Sequence, residues 1–187
     1  KPGKVVSPSE ITKNWIENFS KPEFKSIKLL YVGRMNVEKG IYSLLKILNN
    51  INSDMKLTII GESKEKKKDA FNDKVNILPI ETDETKLIKR YDDHNIFVLP
   101  SFTEGHPMVL LEALSRMRPV IIFEEITHVI ENKKGIFVSK RNPQSLSETI
   151  DYIKKNYETI FQEMKKNQLP TKKQFINDFV NLVSYPE

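Results

Sequence analysis

Short runs of consecutive apolar residues alternate along the chain with longer stretches in which apolar positions return every three or four residues. KLLYVG (28–33) and KLTIIG (56–61) are two such runs, each ending in glycine. Between them Ile41, Leu44, Leu45, Leu48 and Ile51 recur at helical spacing. The order strand, helix, strand is repeated by VNILPI (75–80), a helix through Leu87, Ile88 and Tyr91, and NIFVLP (95–100). A helix from Met108 to Met117 and the run PVIIF (119–123) repeat it again. GIFV (135–138) predicts a last strand, followed by helices near Gln144–Lys155, Tyr157–Lys166 and Lys172–Val183. Strands that are apolar at consecutive positions are buried on both faces, as in a parallel sheet covered by helices. The pattern predicts an α/β chain: a Rossmann-like open parallel sheet of about six strands flanked by helices, over residues 27–187. Residues 1–26 read as a linker with a short helix around Glu10–Phe19. There is no internal repeat and no low-complexity tract.

The composition fits one folded domain. Of 187 residues, 39% are hydrophobic and 29% charged, which is globular rather than disordered. No run nears the roughly 18 apolar residues of a membrane span, and KPGKVVSPSE lacks the apolar stretch of a signal peptide. A cytoplasmic location is therefore expected, with peripheral association at the inner face of the membrane as the most that a membrane would contribute. The absence of cysteine excludes disulfides and cysteine-based metal sites. The net charge of +5 is modest, and the densest basic run, SKEKKKDA (63–70), reads as a solvated connector rather than a polyanion contact. No nucleic-acid partner is expected.

In open parallel sheets ligands sit beyond the carboxyl ends of the strands, where helix N-termini present bare N–H groups. Two of the loops there carry chemistry. GRMNVEKG (33–40) places Arg34 and Lys39 on either side of a turn leading into a helix. A planar fork and a point charge beside a helix start suit a diphosphate, and ordinary surface charge is the alternative. The fingerprints GxGxxG and GxxxxGK[ST] are both missing, so neither a nicotinamide cofactor nor ATP-driven phosphoryl transfer gains support. The second loop lies in PSFTEGHPMVLLEALSRMRPV (100–120). Pro107 suits the first helical position, which leaves Glu104 in the loop and Glu112 on the second helical turn. Carboxylates repel phosphate but accept paired hydrogen bonds from vicinal diols, as in sugars and ribose. Taken alone, Glu112 also reads as an ordinary helix-surface residue.

GRMNVEKG, LTIIGE and NIFVLPSFTEGHPMVLLEAL followed by PVI resemble, in this order and spacing, the nucleotide-sugar-binding C-terminal half of GT-B glycosyltransferases, especially glycosyltransferase family 4. The resemblance covers about residues 27–184. It implies that Arg34 and Lys39, with Gly33 at the turn, bind the donor diphosphate. Glu104 would contact hydroxyls of the transferred sugar and Glu112 the ribose. Main-chain amides around Gly105, Met108 and Val109 would face sugar and phosphates, and Leu78, Pro79 and Ile80 would border the base. His106 lies next to the site and is either a sugar contact or a packed or solvated histidine. Arg34, Lys39 and Glu104 would be the catalytic groups. The nucleoside-diphosphate sugar is then a substrate, and no cofactor or metal is expected: there is no Asp-x-Asp motif, and His94 and His128 lack partners at metal-ligand spacing. The acceptor, a saccharide or lipid-linked saccharide, would be bound by an N-terminal half that these 187 residues do not contain. A non-catalytic nucleotide-sugar-binding module and a glycoside hydrolase using Glu104 and Glu112 are the alternative readings. Three departures from the family pattern bear on the sugar pocket. Gly105, His106 and Pro107 replace Gly-Phe-Gly, Arg118 replaces a glycine, and Glu124 to His128 replace Gly-Gly-x-x-Glu.

Overall fold

The computed structural model of the chain describes residues 8–62 and 73–184; the basic run expected to be a solvated connector lies outside them. Six strands form one sheet in the order β3-β2-β1-β4-β5-β6, every pairing parallel. They are β1 (Ile27–Val32), β2 (Met55–Ile60), β3 (Val75–Leu78), β4 (Ile96–Leu99), β5 (Val120–Phe123) and β6 (Ile136–Ser139). The central β4 and β5 are buried at every position, as their unbroken apolar runs predict, while the edge strands β3 and β6 are largely half-buried. The strand order reverses between β1 and β4. At such a switch point open α/β sheets have their ligand crevice beyond the carboxyl edge, flanked here by the loops that leave the two strands. These are the loops 33–40 and 100–107.

The helices α1 (Lys13–Ile16), α2 (Ile41–Asn49), α3 (Glu84–Asp92), α4 (Met108–Ser115), α5 (Pro143–Met164) and α6 (Lys172–Val183) connect and cover the strands. Side chains at N-cap positions fix three helix starts: Asp83, Asn142 and Thr171 accept from the backbone N–H three residues on. No helix among the described residues is long and apolar enough to cross a membrane.

Several expectations change. The two helices expected over 144–166 are one, because Ile150, Ile153, Tyr157, Ile160, Phe161 and Met164 form a single buried stripe across the polar KKN segment. Pro107 is the N-cap rather than the first helical residue, with extended backbone at φ −73° and ψ 104°. The stretch Glu124–Ile130 after β5 winds as 3-10 turns with a kink at Ile126.

The expected N-terminal helix is a single turn, α1, and its surroundings are more ordered than the sequence suggests. Ile11 and Trp15 are buried in the core, and the Trp15 ring meets Tyr91 edge-on at 5.4 Å. Two arginines just beyond α4 hold this segment. Arg116 forks onto Asp92 (3.0 and 2.7 Å) and donates to the carbonyls of Asn14, Trp15, Glu17 and Asn18. Arg118 donates to the carbonyls of Ser20, Tyr91, Asp92 and Arg116. Both are almost fully buried. Guanidinium groups reach such depth only when their N–H groups are satisfied, and carbonyls of an otherwise irregular segment supply the partners.

Candidate functional site

The first half of the site grows from the end of β1. The Gly33 N–H donates to the Ile60 carbonyl (2.9 Å), extending the sheet by one bond. The buried Tyr31 hydroxyl then donates to the Arg34 carbonyl (2.8 Å) and shapes the turn. Asn36 Oδ1 accepts from the Lys39 N–H (2.9 Å), closing the loop before α2. Gly40 adopts φ 64°, and a Cβ there would lie 1.9 Å from the Pro100 carbonyl oxygen. Only glycine lets the loop after β1 approach the loop after β4 this closely.

That approach brings Lys39 and Glu104 together. Lys39 Nζ lies 2.7 Å from Glu104 Oε1, and the Ser101 hydroxyl donates to the same oxygen at 2.6 Å. The Glu104 side chain is only 8% exposed and that of Lys39 25%. This is a sheltered ion pair rather than a surface one. Arg34 is exposed, and among the described residues no carboxylate pairs with it. The Phe102 N–H donates to the Glu38 carbonyl (2.9 Å), a second tie between the loops.

Beyond Glu104 the chain is open. No heavy atom lies within 4 Å of where a Gly105 Cβ would stand. The His106 ring bonds the Pro8 carbonyl through Nε2 (2.8 Å), so it serves the N-terminal segment. His128 Nε2 meets the Glu104 carbonyl at 2.7 Å. The helix α4 begins at Met108 and Val109, both half-buried. First-turn N–H groups have no partner within their own helix, and Pro107 supplies no side-chain cap. No side chain caps these amides.

Glu112 stands apart from Glu104. Its Oε2 accepts from the buried Tyr91 hydroxyl (2.7 Å) on α3. Burial pushes its carboxyl above the usual glutamate range, and the Tyr91 hydrogen bond works against that shift. Burial, and after it the charge and hydrogen bond of Glu112, push the Tyr91 hydroxyl well above the tyrosine range. Leu78 ends the edge strand β3, two strands from β1, and Pro79 and Ile80 follow it, with Ile80 50% exposed. The structure thus joins Lys39 to Glu104 directly. Arg34 follows β1 and Met108 and Val109 open the helix after β4, both at the carboxyl edge of the sheet, whereas Glu112 bonds Tyr91 and Leu78 to Ile80 lie at the end of β3, two strands from β1.

Sequence reasoning missed Ser101 and Arg141. Arg141, between β6 and α5, donates to the Pro100 carbonyl (3.0 Å) and forks onto Glu125 (2.8 and 3.0 Å). Its one sequence signal is an arginine at the carboxyl end of a strand.

Physically the site offers two cations, helix-start amides without a side-chain cap, and a carboxylate able to accept from hydroxyls. Such a surface suits a ligand that is anionic at one end and polyhydroxylated at the other.

Comparisons with known proteins bear on the family and the fold. A proposed teichuronic acid biosynthesis glycosyltransferase, TuaC of Bacillus subtilis, is 27% identical over 123 residues, covering 65% of this chain and 31% of its own length. A capsular polysaccharide biosynthesis glycosyltransferase, CapM of Staphylococcus aureus, is 27% identical over 136 residues, covering 66% of this chain and 35% of its own. The chain thus spans about a third of the length of these two relatives. In fold it matches Anabaena HepE, solved in complex with UDP-glucose, with a TM-score of 0.67 at 15% identity, over 86% of this chain and 50% of that one. Residues 13–169 match the pattern of the glycosyl transferases group 1 family, and the chain belongs to that family.

Proposed function

We propose that the crevice between the loops after β1 and β4 binds a nucleoside-diphosphate sugar, and that the complete protein transfers the sugar to an acceptor hydroxyl. The observation that carries this reading is the Lys39–Glu104 pair beside the open start of α4. A phosphate-seeking and a hydroxyl-seeking group meet there at the switch point of the sheet. The diphosphate lies against Arg34, Lys39 and the amides of Met108 and Val109. Its charge draws Lys39 from Glu104, whose carboxylate is then available to sugar hydroxyls. Glu112 accepts from the ribose, Gly105 leaves room for the sugar, and Leu78 to Ile80 border the base.

As the glycosidic bond breaks, negative charge grows on the departing diphosphate. Two cations and a helix start stabilise it without a metal ion. Transfer proceeds with retention. The acceptor, a saccharide or lipid-linked saccharide, is held by a second domain outside these residues. The two bacterial relatives named for teichuronic acid and capsular polysaccharide support a role in surface-polysaccharide or glycoconjugate synthesis, which in this reading takes place in the cytoplasm or at the inner face of the membrane. Hydrolysis by Glu104 and Glu112 has less in its favour, because the two carboxylates share no partner and Arg34 and Lys39 would have no task.

Glu112→Gln tests the ribose assignment. Glutamine still accepts from Tyr91 but cannot accept from two ribose hydroxyls. Calorimetric titration should therefore show UDP and UDP-glucose, or the guanosine or adenosine pair that binds, weakened together by roughly tenfold. Stability should move the other way. A glutamate pKa raised on folding makes the ionised form costly as pH rises above the unfolded value, so the variant should melt higher at pH 8, and the gain should fade towards pH 4. Unchanged affinity for both ligands would remove Glu112 from the site.

A further inference from the structure

We infer that Arg141, held by Glu125, is a positioning residue for Glu104: it fixes the loop that presents the carboxylate while Lys39 changes partners. The inference rests on the donor reading above and extends it to two residues that no part of that reading uses.

Arg141 lies past β6, and its targets lie past β4, with β5 between them. Two strand spacings amount to about 10 Å, so only a long side chain laid across β5 can make the link. It does so with four of its contacts at once. Nη1 donates to the Pro100 carbonyl (3.0 Å) and Nη2 lies 3.4 Å from the Ser101 carbonyl. Nε and Nη2 fork onto the Glu125 carboxylate (2.8 and 3.0 Å) in the 3-10 stretch after β5. The guanidinium carbon sits 4.0 Å from the Phe102 ring centroid and 4.4 Å from that of Phe123, packed between an exposed ring and a buried one. Arg141 Nη1 is also 3.2 Å from where a Gly40 Cβ would stand. Loops from β1, β4, β5 and β6 therefore converge on one side chain that is itself only 16% exposed.

The remaining ties on Glu104 differ in kind. Lys39 grips its carboxylate, and a diphosphate competes for Lys39. Ser101 grips the same oxygen but belongs to the same loop. His128 holds the Glu104 carbonyl from the exposed side. The Arg141 bonds go to carbonyls and an acid that the donor has no reason to disturb. When Lys39 turns to the diphosphate, Arg141 keeps Pro100 and Ser101 in place, and with them the base from which Glu104 reaches the sugar. A lysine here would offer one nitrogen and no fork, so it could not hold Glu125 and two carbonyls together.

Arg141→Ala and Arg141→Lys test this in the 187-residue chain, with far-ultraviolet circular dichroism confirming the fold. The first readout needs no ligand. The Phe102 amide, bonded to the Glu38 carbonyl, should exchange at least about tenfold faster with solvent deuterium in both variants, while amides of β1 and β4 keep their rates. The second readout is the ratio of affinities for UDP and UDP-glucose, or for the guanosine or adenosine pair that the unaltered chain binds. Free diphosphate should bind within about threefold of the unaltered chain. The sugar-dependent gain should fall roughly tenfold, and lysine should not restore it. Unchanged Phe102 exchange overturns the inference, as does an unchanged ratio or an equal loss for both ligands. If the unaltered chain binds no nucleoside diphosphate at all, the donor reading fails, and the exchange measurement still decides whether Arg141 fixes the loop. Should Arg141→Ala fail to fold, Arg141→Lys, which keeps the aliphatic stem between the two rings, carries both readouts.

Discussion

Glu104→Gln should reverse the ligand preference of the crevice. Glu104 Oε1 holds both Lys39 Nζ at 2.7 Å and the Ser101 hydroxyl at 2.6 Å. A diphosphate therefore meets a lysine already engaged and a carboxylate that repels it. Glutamine keeps the shape and an acceptor for Ser101 but removes both obstacles. With Lys39 still 25% exposed, water screens the pair to about 1 kcal/mol, so free nucleoside diphosphate should bind roughly threefold to tenfold tighter. The nucleotide-sugar loses a charged acceptor for its hydroxyls, about 1.5 to 3 kcal/mol, and should bind roughly tenfold to hundredfold weaker relative to the diphosphate. Turnover by the complete enzyme should fall further, because a misplaced sugar loses the advantage of fixed proximity. From sequence alone, removing Glu104 is expected to leave diphosphate binding nearly unaltered; the ion pair with Lys39 predicts an increase instead. Titration of both ligands into the variant decides the matter, and affinities that shift in the same direction would contradict it.

Arg116→Ala should cost more stability than any other single substitution considered. The side chain is 2% exposed and satisfies Asp92 together with four carbonyls of residues 14–18. Its removal strands those carbonyls and, among the described residues, leaves the Asp92 carboxylate with Arg118 at 3.5 Å as its cation. Breaking a buried pair by deleting one partner costs about 3 to 5 kcal/mol, a large share of the roughly 5 to 15 kcal/mol that holds a domain folded. For a chain of this size Tm should drop by roughly 6 to 20 °C. The N-terminal segment should loosen first. Trp15 is the sole tryptophan and is 4% exposed, so its emission should shift to the red at temperatures where α4 and the sheet remain intact. An unaltered Tm and an unaltered emission maximum would show that packing of Ile11 and Trp15 alone holds the segment.

The sheet was legible because its central strands are apolar at every position. A run such as Ile96–Leu99 admits no amphipathic reading and has to be buried on both faces. Strand ends and helix starts follow from there, and with them the placing of Arg34, Lys39, Glu104 and Glu112 near one edge. What the sequence hides is partnership. Nothing in GRMNVEKG or PSFTEG reveals that Lys39 and Glu104 neutralise each other, since that depends on how closely Gly40 lets Pro100 approach. Arg141 escapes notice for a similar reason: its role exists only once β6 is placed two strands from β4. Arg116 and Arg118 do leave a trace. Two arginines between a buried helix and a buried strand, in LSRMRPV, have no solvent to face and must find partners inside. Residues 8–20 show the opposite difficulty, with two buried apolar side chains, Ile11 and Trp15, scattered among polar neighbours.

The most direct test of the central claim is calorimetric titration of UDP, GDP and ADP into the chain with EDTA present, repeated on Arg34→Ala and Lys39→Ala. The account predicts that at least one diphosphate binds, that chelation leaves its affinity unaltered, and that each substitution weakens it roughly tenfold or more. Binding that vanishes with EDTA, or that survives both substitutions undiminished, would contradict it.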